Sequence, residues 1–284
     1  MSKTVIVIDS TADLPKSVRD ELEINMVPLN VHFGTEVYKD QIDLDSKGFY
    51  EKLRSSKIIP KTSQPSPGAF AELYKKVANP EDIVISYHIS SKASGTYQSA
   101  LMATSLLPDY NIKVLDSEGL SLHYGMQAIE LAKKARTGAT FDEIKAHLDK
   151  VKKNIQVCFT VDTLEYLQKN GRIGTASSFL GSMLNIKPIL SIEHGMVSGV
   201  EKVRGRKKAK KRLIEYIVEK LDETVGRKLH FGIVQGDALK EADELEKDLR
   251  KVFPKMDSLI RSDLGPIIGS HAGPGTLGII AYKL

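Results

Sequence analysis

Two hydroxyl-rich segments, Thr62-Ser63-Gln64-Pro65-Ser66 and Ser90-Ser91-Lys92-Ala93-Ser94-Gly95-Thr96, carry the side chains best suited to holding a ligand. Neutral O–H groups satisfy a small anion without a fixed positive charge. A helix opening near Gly95 would add free backbone N–H groups and the positive end of its dipole. The same hydroxyls also close turns and cap helices, so both readings stay open on the residues alone. Other chemistry is missing from the sequence. No Gly-Lys-Ser/Thr opens a helix to cradle phosphate, and no Gly-x-Ser-x-Gly elbow presents a nucleophile. Gly269, Gly273 and Gly275 lack dinucleotide-binding spacing and precede an expected strand. The seven histidines, at 32, 88, 123, 147, 194, 230 and 271, include no i,i+4 pair or close ligand spacing, so no metal site is expected. The single cysteine, Cys158, lies in an apolar run and reads as a buried, inert thiol.

The elements that must position these loops follow an alternating pattern. Apolar runs of strand length are separated by amphipathic stretches, which predicts an α/β fold. Thr4 to Asp9 reads as the first strand, with Ser10, Thr11 and Asp13 as cap groups ahead of Pro15. A second strand is expected over Asn25 to Phe33, a tight turn at Gly34-Thr35, and a capped helix from Ser46 to Leu53. Lys61 to Gly68 reads as irregular until Pro67 starts a helix; Asp82 to Ile89 and Asn111 to Leu115 read as strands flanking a helix from Tyr97 to Leu106. Two consecutive helical faces follow, Tyr124 to Ala135 and Phe141 to Val151, and the pattern then changes. A boundary near residue 153 is therefore expected, with domains 1–153 and 154–284 each large enough for its own core. The second half reads as a strand from Ile155 to Val161 and a helix from Thr163 capped at Gly171. A hairpin around His194-Gly195, a helix from Lys207 to Asp222 and a strand from Lys228 to Gln235 come next. Helix Leu239 to Val252, strand Met256 to Arg261, a glycine-rich turn and strand Gly278 to Lys283 complete it.

Bulk composition excludes some classes. With 41% hydrophobic and 27% charged residues, the chain of 284 is that of a globular protein and not a disordered one. The first strand begins too early to leave room for an export signal, and no run of about 18 apolar residues provides a spanning helix. A cytoplasmic protein is expected. Net charge is +5, concentrated between Lys202 and Arg212, where eight of eleven residues are Lys or Arg. That run is a solvated helix face or a contact for an anionic membrane surface or an acidic partner. No aromatic residue interleaves it, which argues against nucleic acid.

Five segments together carry a resemblance: Asp9-Ser10-Thr11-Ala12-Asp13-Leu14, Lys61-Thr62-Ser63-Gln64-Pro65-Ser66, Ile89 to Ala100, Gly171-Arg172-Ile173, and Gly265-Pro266-Ile267-Ile268-Gly269-Ser270-His271-Ala272-Gly273-Pro274-Gly275. Across the whole chain and in order, they resemble the signature segments of the DegV family. The resemblance implies two α/β domains with a lipid pocket between them, the second covering the acyl chain. It implies one bound long-chain fatty acid and a carrier that lacks catalytic machinery and cofactors. Such a carrier presents the carboxylate to a separate fatty acid kinase for ATP-dependent acyl phosphate formation. Thr62 and Ser94 match the hydroxyls that hold the carboxylate, with Gly95 adding a backbone N–H. Arg172 and His271 match positions at the pocket mouth with a handover role, His271 titrating between about pH 6 and 8. Ala93 stands where a leucine is expected, which affects packing beside the anchor. The energetics are favourable: about fourteen buried methylenes at ~0.8 kcal/mol each supply roughly 11 kcal/mol before ordering costs. Two rivals remain, a hydrolase or transferase using the same cleft and His271, and a DNA-binding regulator working through the basic run.

Overall fold

The structure is a computed structural model and describes residues 3–181, 185–221 and 227–284. Strand β1 (Thr4–Asp9), helix α1 (Lys16–Glu21) and strand β2 (Ile24–Val27) open a parallel sheet. The single strand expected through Phe33 is broken at Pro28. A proline supplies no N–H and disfavours continuation of a ladder, so the chain leaves the parallel sheet. It re-enters as β3 (Asn30–Phe33) in a separate antiparallel sheet with β4 (Glu36–Lys39) and, beyond helix α2 (Ser46–Ser55), β5 (Lys61–Ser63). Asp45 caps α2 by accepting from Gly48 N at 2.8 Å. Ser66 does the same for α3 (Pro67–Val77), whose first residue is the expected proline. Strand β6 (Ile83–His88), α4 (Thr96–Thr104) and β7 (Asn111–Asp116) complete the four-stranded sheet in the order β2-β1-β6-β7, all parallel. Helices α5 (Leu122–Ala135) and α6 (Phe141–Asn154) follow, the second opened by a Thr140–Glu143 capping box.

The remaining strands form a six-stranded mixed sheet. Strand β8 (Gln156–Thr160), α7 (Glu165–Lys169), β9 (Ile186–Glu193), β10 (Met196–Arg204) and α8 (Arg206–Lys220) are followed by β11 (Leu229–Gly236), α9 (Leu239–Val252), β12 (Ser258–Asp263), α10 (Pro266–Ala272) and β13 (Thr276–Lys283). Their order is β10-β9-β8-β13-β11-β12, with only β11 and β12 parallel. Asp222, the last residue of the expected eighth helix, lies outside the described residues. The glycine-rich segment before the last strand is helix α10 and not a turn. Pro266 starts the helix, and packing decides the rest: a Cβ at Gly269 would stand 2.6 Å from the Phe49 ring, so only glycine lets α10 approach α2.

The apolar core does not split at residue 153. The largest cluster joins Ile6 and Ile8 of β1 and Leu122 and Met126 of α5 to Val157 of β8 and Ile280 of β13. Helices α5 and α6 thus lie between the two larger sheets, and Tyr282 donates to the Glu130 carboxylate of α5 at 2.9 Å. Separate clusters cover the outer faces, one under α8 and α9 and one under α3 and α4. Among the described residues no helix is long and apolar enough to cross a membrane.

The basic run lies on the end of β10 and the start of α8, where cations oppose the helix dipole. Its partners are acids of the same chain. Arg206 pairs with Glu241, Lys210 with Glu244, Lys211 with Glu215, and Arg212 with Glu201 and Glu219.

Candidate functional site

Strand β5, the loop from β6 to α4, the loop after α7, and α10 meet around one pocket between the parallel and six-stranded sheets. The pocket leaves about 140 Å³ in which a water-sized sphere can be centred. Its walls are mainly apolar and include Ile89, Leu120, Val157, Ile192, Val234 and Ile280. Thr62, Ser94, Arg172 and His271 all line it. Residues widely separated in sequence are thus brought to one cavity.

Thr62 Oγ1 and His271 Nε2 lie 2.9 Å apart, a hydrogen bond joining β5 to α10. The other ring nitrogen, Nδ1, is wholly buried and has no partner among the described residues. Burial first, then the nearby charges of Arg172 and Lys61, push the His271 imidazole down to about 4. It is therefore neutral at pH 7, which corrects the expectation of titration between pH 6 and 8. Ser94 Oγ is 2.8 Å from Thr96 Oγ1 and accepts from Thr96 N at 3.3 Å. It closes a local turn onto Thr96, the first residue of α4, and lines the pocket at once. Gly95 is not part of the pocket lining. The Gln64 side chain covers it, since a Cβ there would come within 2.4 Å of Gln64 Oε1. Gln64 also lines the pocket and donates to Ser99 Oγ at 3.3 Å. Arg172 is exposed at the rim, just past the left-handed Gly171, and donates to the carbonyls of Ala93 at 3.0 Å and Asn170 at 2.9 Å. Ala93, where a leucine was expected, contributes that carbonyl to the rim.

A buried polar network backs the pocket. Asp9 accepts from Thr11 N at 3.1 Å, and also from Ile89 N at 3.0 Å and Tyr124 Oη at 2.8 Å. His88 Nδ1 stands 3.0 Å from the same carboxylate. Burial pushes the Asp9 carboxyl up, but His88 and the other donors outweigh it and hold it below its ordinary value. Asp13 accepts from Gly265 N at 2.9 Å and from Ser121 Oγ at 2.5 Å, and its carbonyl accepts from Ser262. Burial raises the Asp13 carboxyl to about 7. Cys158 is buried, donates to the Leu213 carbonyl at 3.3 Å, and is pushed far up by burial, in line with an inert thiol. Among the described residues, no group of three or more His, Cys, Asp or Glu side chains is placed to hold a metal.

Sequence reasoning missed Gln64, Ser121 and His123 as lining residues. Gln64 sat in a segment already singled out, and its amide was the available signal. The other two lie at the start of a helix with no local mark that they face a cavity.

The sequence and the fold recur in known proteins. The sequence profile described as "Uncharacterised protein, DegV family" matches residues 3–284. Protein DegV of Bacillus subtilis is 37% identical over 96% of this chain and 97% of its own. A DegV family protein from Thermus thermophilus, whose structure is described as showing fatty acid binding, superposes with a TM-score of 0.92 at 34% identity over 99% of this chain and 100% of that one. The structure of DegV from Bacillus subtilis, described as a fatty acid binding protein, gives 0.91 at 35% identity over both whole chains. A stearic acid-binding protein from Eubacterium ventriosum gives 0.89 at 27% identity over 100% of this chain and 98% of that one. With the match spanning nearly every residue, this chain belongs to the DegV family.

Proposed function

We propose that the chain binds one long-chain fatty acid in the cytoplasm and presents its carboxylate to a separate kinase for acyl phosphate formation. One observation carries the reading: the hydroxyls of Thr62 and Ser94 line an otherwise largely apolar pocket. The tail supplies affinity through burial, and the hydroxyls offset the cost of desolvating the head. In this reading Gly95 contributes through the N-terminus of α4, and residues 154–284 form the domain that covers the chain. Arg172 is exposed while anchored to the Ala93 carbonyl, which supports a role facing an incoming kinase. A transient contact of residues 202–212 with an anionic membrane belongs to the same proposal, weakened where Arg206, Lys210, Lys211 and Arg212 pair with acids of the same chain.

The Thr62–His271 pair gives a hydrolase reading one specific observation, a hydroxyl beside an imidazole. The imidazole is a poor match for that task. Among the described residues no carboxylate orients its Nδ1, and a base pushed down to about 4 takes few protons at neutral pH. The carrier reading is tested by extracting protein purified without detergent and weighing the lipid by mass spectrometry. One long-chain fatty acid per chain is the expected result, and protein that is empty and cannot be loaded would overturn it. Arg172→Ala should hold fatty acid affinity within about threefold yet lower acyl phosphate formation by a cognate kinase at least tenfold.

A further inference from the structure

The walls of the pocket carry polar side chains that holding a carboxylate at Thr62 and Ser94 does not use. Helix α5 brings two of them to the lining, Ser121 at its N-cap and His123 in its first turn. His123 is 7% exposed and its ring makes no hydrogen bond among the described residues. Its Nδ1 is wholly buried against Gly119, where a Cβ would come within 2.6 Å of it. Burial, with the charge of Lys152, pushes the ring down to about 4, so it is neutral. Buried polar groups without partners are uncommon, and an orphaned N–H is rarer than an orphaned acceptor. The ring proton therefore belongs on Nε2, the nitrogen that is not sealed. Ser121 is complementary: facing the ionised Asp13 carboxylate it donates its hydrogen there at 2.5 Å, which leaves only its lone pairs for a ligand. The two residues thus offer one donor and one acceptor to a pocket whose lining is otherwise largely apolar and includes Leu120, Val157 and Ile192.

We infer that the pocket is built for a fatty acid whose tail carries a hydroxyl group partway along it, accepting from His123 Nε2 and donating to Ser121 Oγ. This rests on the fatty-acid reading and names its substrate class. A hydroxyl placed in a purely apolar pocket weakens binding, because it loses water and gains nothing. Where a donor and an acceptor await it, the same hydroxyl strengthens binding. The two cases differ in sign.

The test uses delipidated full-length protein titrated with stearate and with stearates bearing one hydroxyl at successive mid-chain carbons. At least one positional isomer should bind five-fold or more tighter than stearate, and His123→Leu should abolish that advantage, bringing the ratio of the two affinities to one or below. No isomer surpassing stearate, or an advantage that survives His123→Leu, would overturn the inference while leaving the carrier reading intact. Failure of stearate itself to bind would strike the carrier reading instead. Should His123→Leu not fold, the imidazole Nε2–H resonance of the unaltered protein decides: it should shift on adding the preferred hydroxystearate and not on adding stearate. An equal response to both overturns the proposal.

Discussion

Thr62 holds its place through a strand and a histidine. Strand β5 pairs it opposite Val31, and its hydroxyl is hydrogen-bonded to His271 Nε2. Removing either anchor hydroxyl, by Thr62→Ala or Ser94→Ala, should weaken fatty acid binding by about 1–2 kcal/mol, with a smaller loss for the matching fatty alcohol. Calorimetric titration of both ligands checks this, and equal losses would argue against a carboxylate site. Ser94→Ala should also cost about 1 kcal/mol of stability through its lost turn hydrogen bond to Thr96 N, whereas Thr62→Ala leaves the half-buried His271 ring without its Thr62 partner. His271 supplies the pH test. Its folded value near 4 lies below the ordinary 6.5, so the neutral ring dominates above about pH 6.5 and charging is felt only as pH falls toward 4. Fatty acid binding should then be flat between pH 6 and 8, and a change there that disappears in His271→Ala would contradict the buried neutral imidazole. The loops that carry Thr62 and Ser94 were legible because proline and glycine mark them, and the family resemblance singled out these two hydroxyls. His123 was not, since a lone histidine at a helix start looks the same facing a core, a cavity or water.

At the level of elements, the same contrast separates local signals from tertiary ones. Caps at Asp45, Ser66 and Thr140 act through atoms a few residues away, and the sequence shows them. Helix α10 depends on contacts with α2, more than 200 positions earlier, so its glycines read as a turn. Asp13 joins three such distant pieces: the turn after β1, the start of α5 through Ser121, and the start of α10 through Gly265. Its carboxyl is raised from 3.8 to about 7, so it favours folding fully below about pH 4 and loses that contribution as pH rises to about 7. His271 and His123, both lowered to about 4, act in the opposite sense, losing their contribution as pH falls from 6.5 toward 4. The difference between variant and parent isolates Asp13. Asn in its place can still accept from Gly265 N and can donate to Ser121. Relative to the parent, Asp13→Asn should gain stability with pH between about 4 and 7, at up to about 1.4 kcal/mol per pH unit, and level off above. Urea unfolding at half-unit pH steps measures it, and a flat difference would mean that Asp13 titrates normally.

For the molecule as a whole, the decisive feature is a core continuous across residue 153. Alternating strands and helices made the α/β class legible, and the strands do pass from one sheet to the other between β7 and β8. What periodicity could not reveal was that α5 buries residues against both sheets, because one apolar helix face does not state which partner it covers. The arrangement has a thermodynamic consequence. A ligand lodged between the sheets touches residues from both halves, so binding stabilises a single unit, and unfolding should be one transition with or without lipid. By mass action, free fatty acid at about 100 times its dissociation constant adds about 2.7 kcal/mol. Calorimetry of delipidated and loaded protein should therefore show one peak that moves up on loading. A fragment ending at residue 153 would expose Leu122, Met126 and their neighbours where β8, β11 and β13 had covered them. That fragment and its complement should each fail to give a cooperative transition alone and should recover one when mixed. Two peaks in the intact chain, or independent cooperative folding of either half, would show that the boundary at 153 separates self-sufficient domains and that the shared core is only an interface.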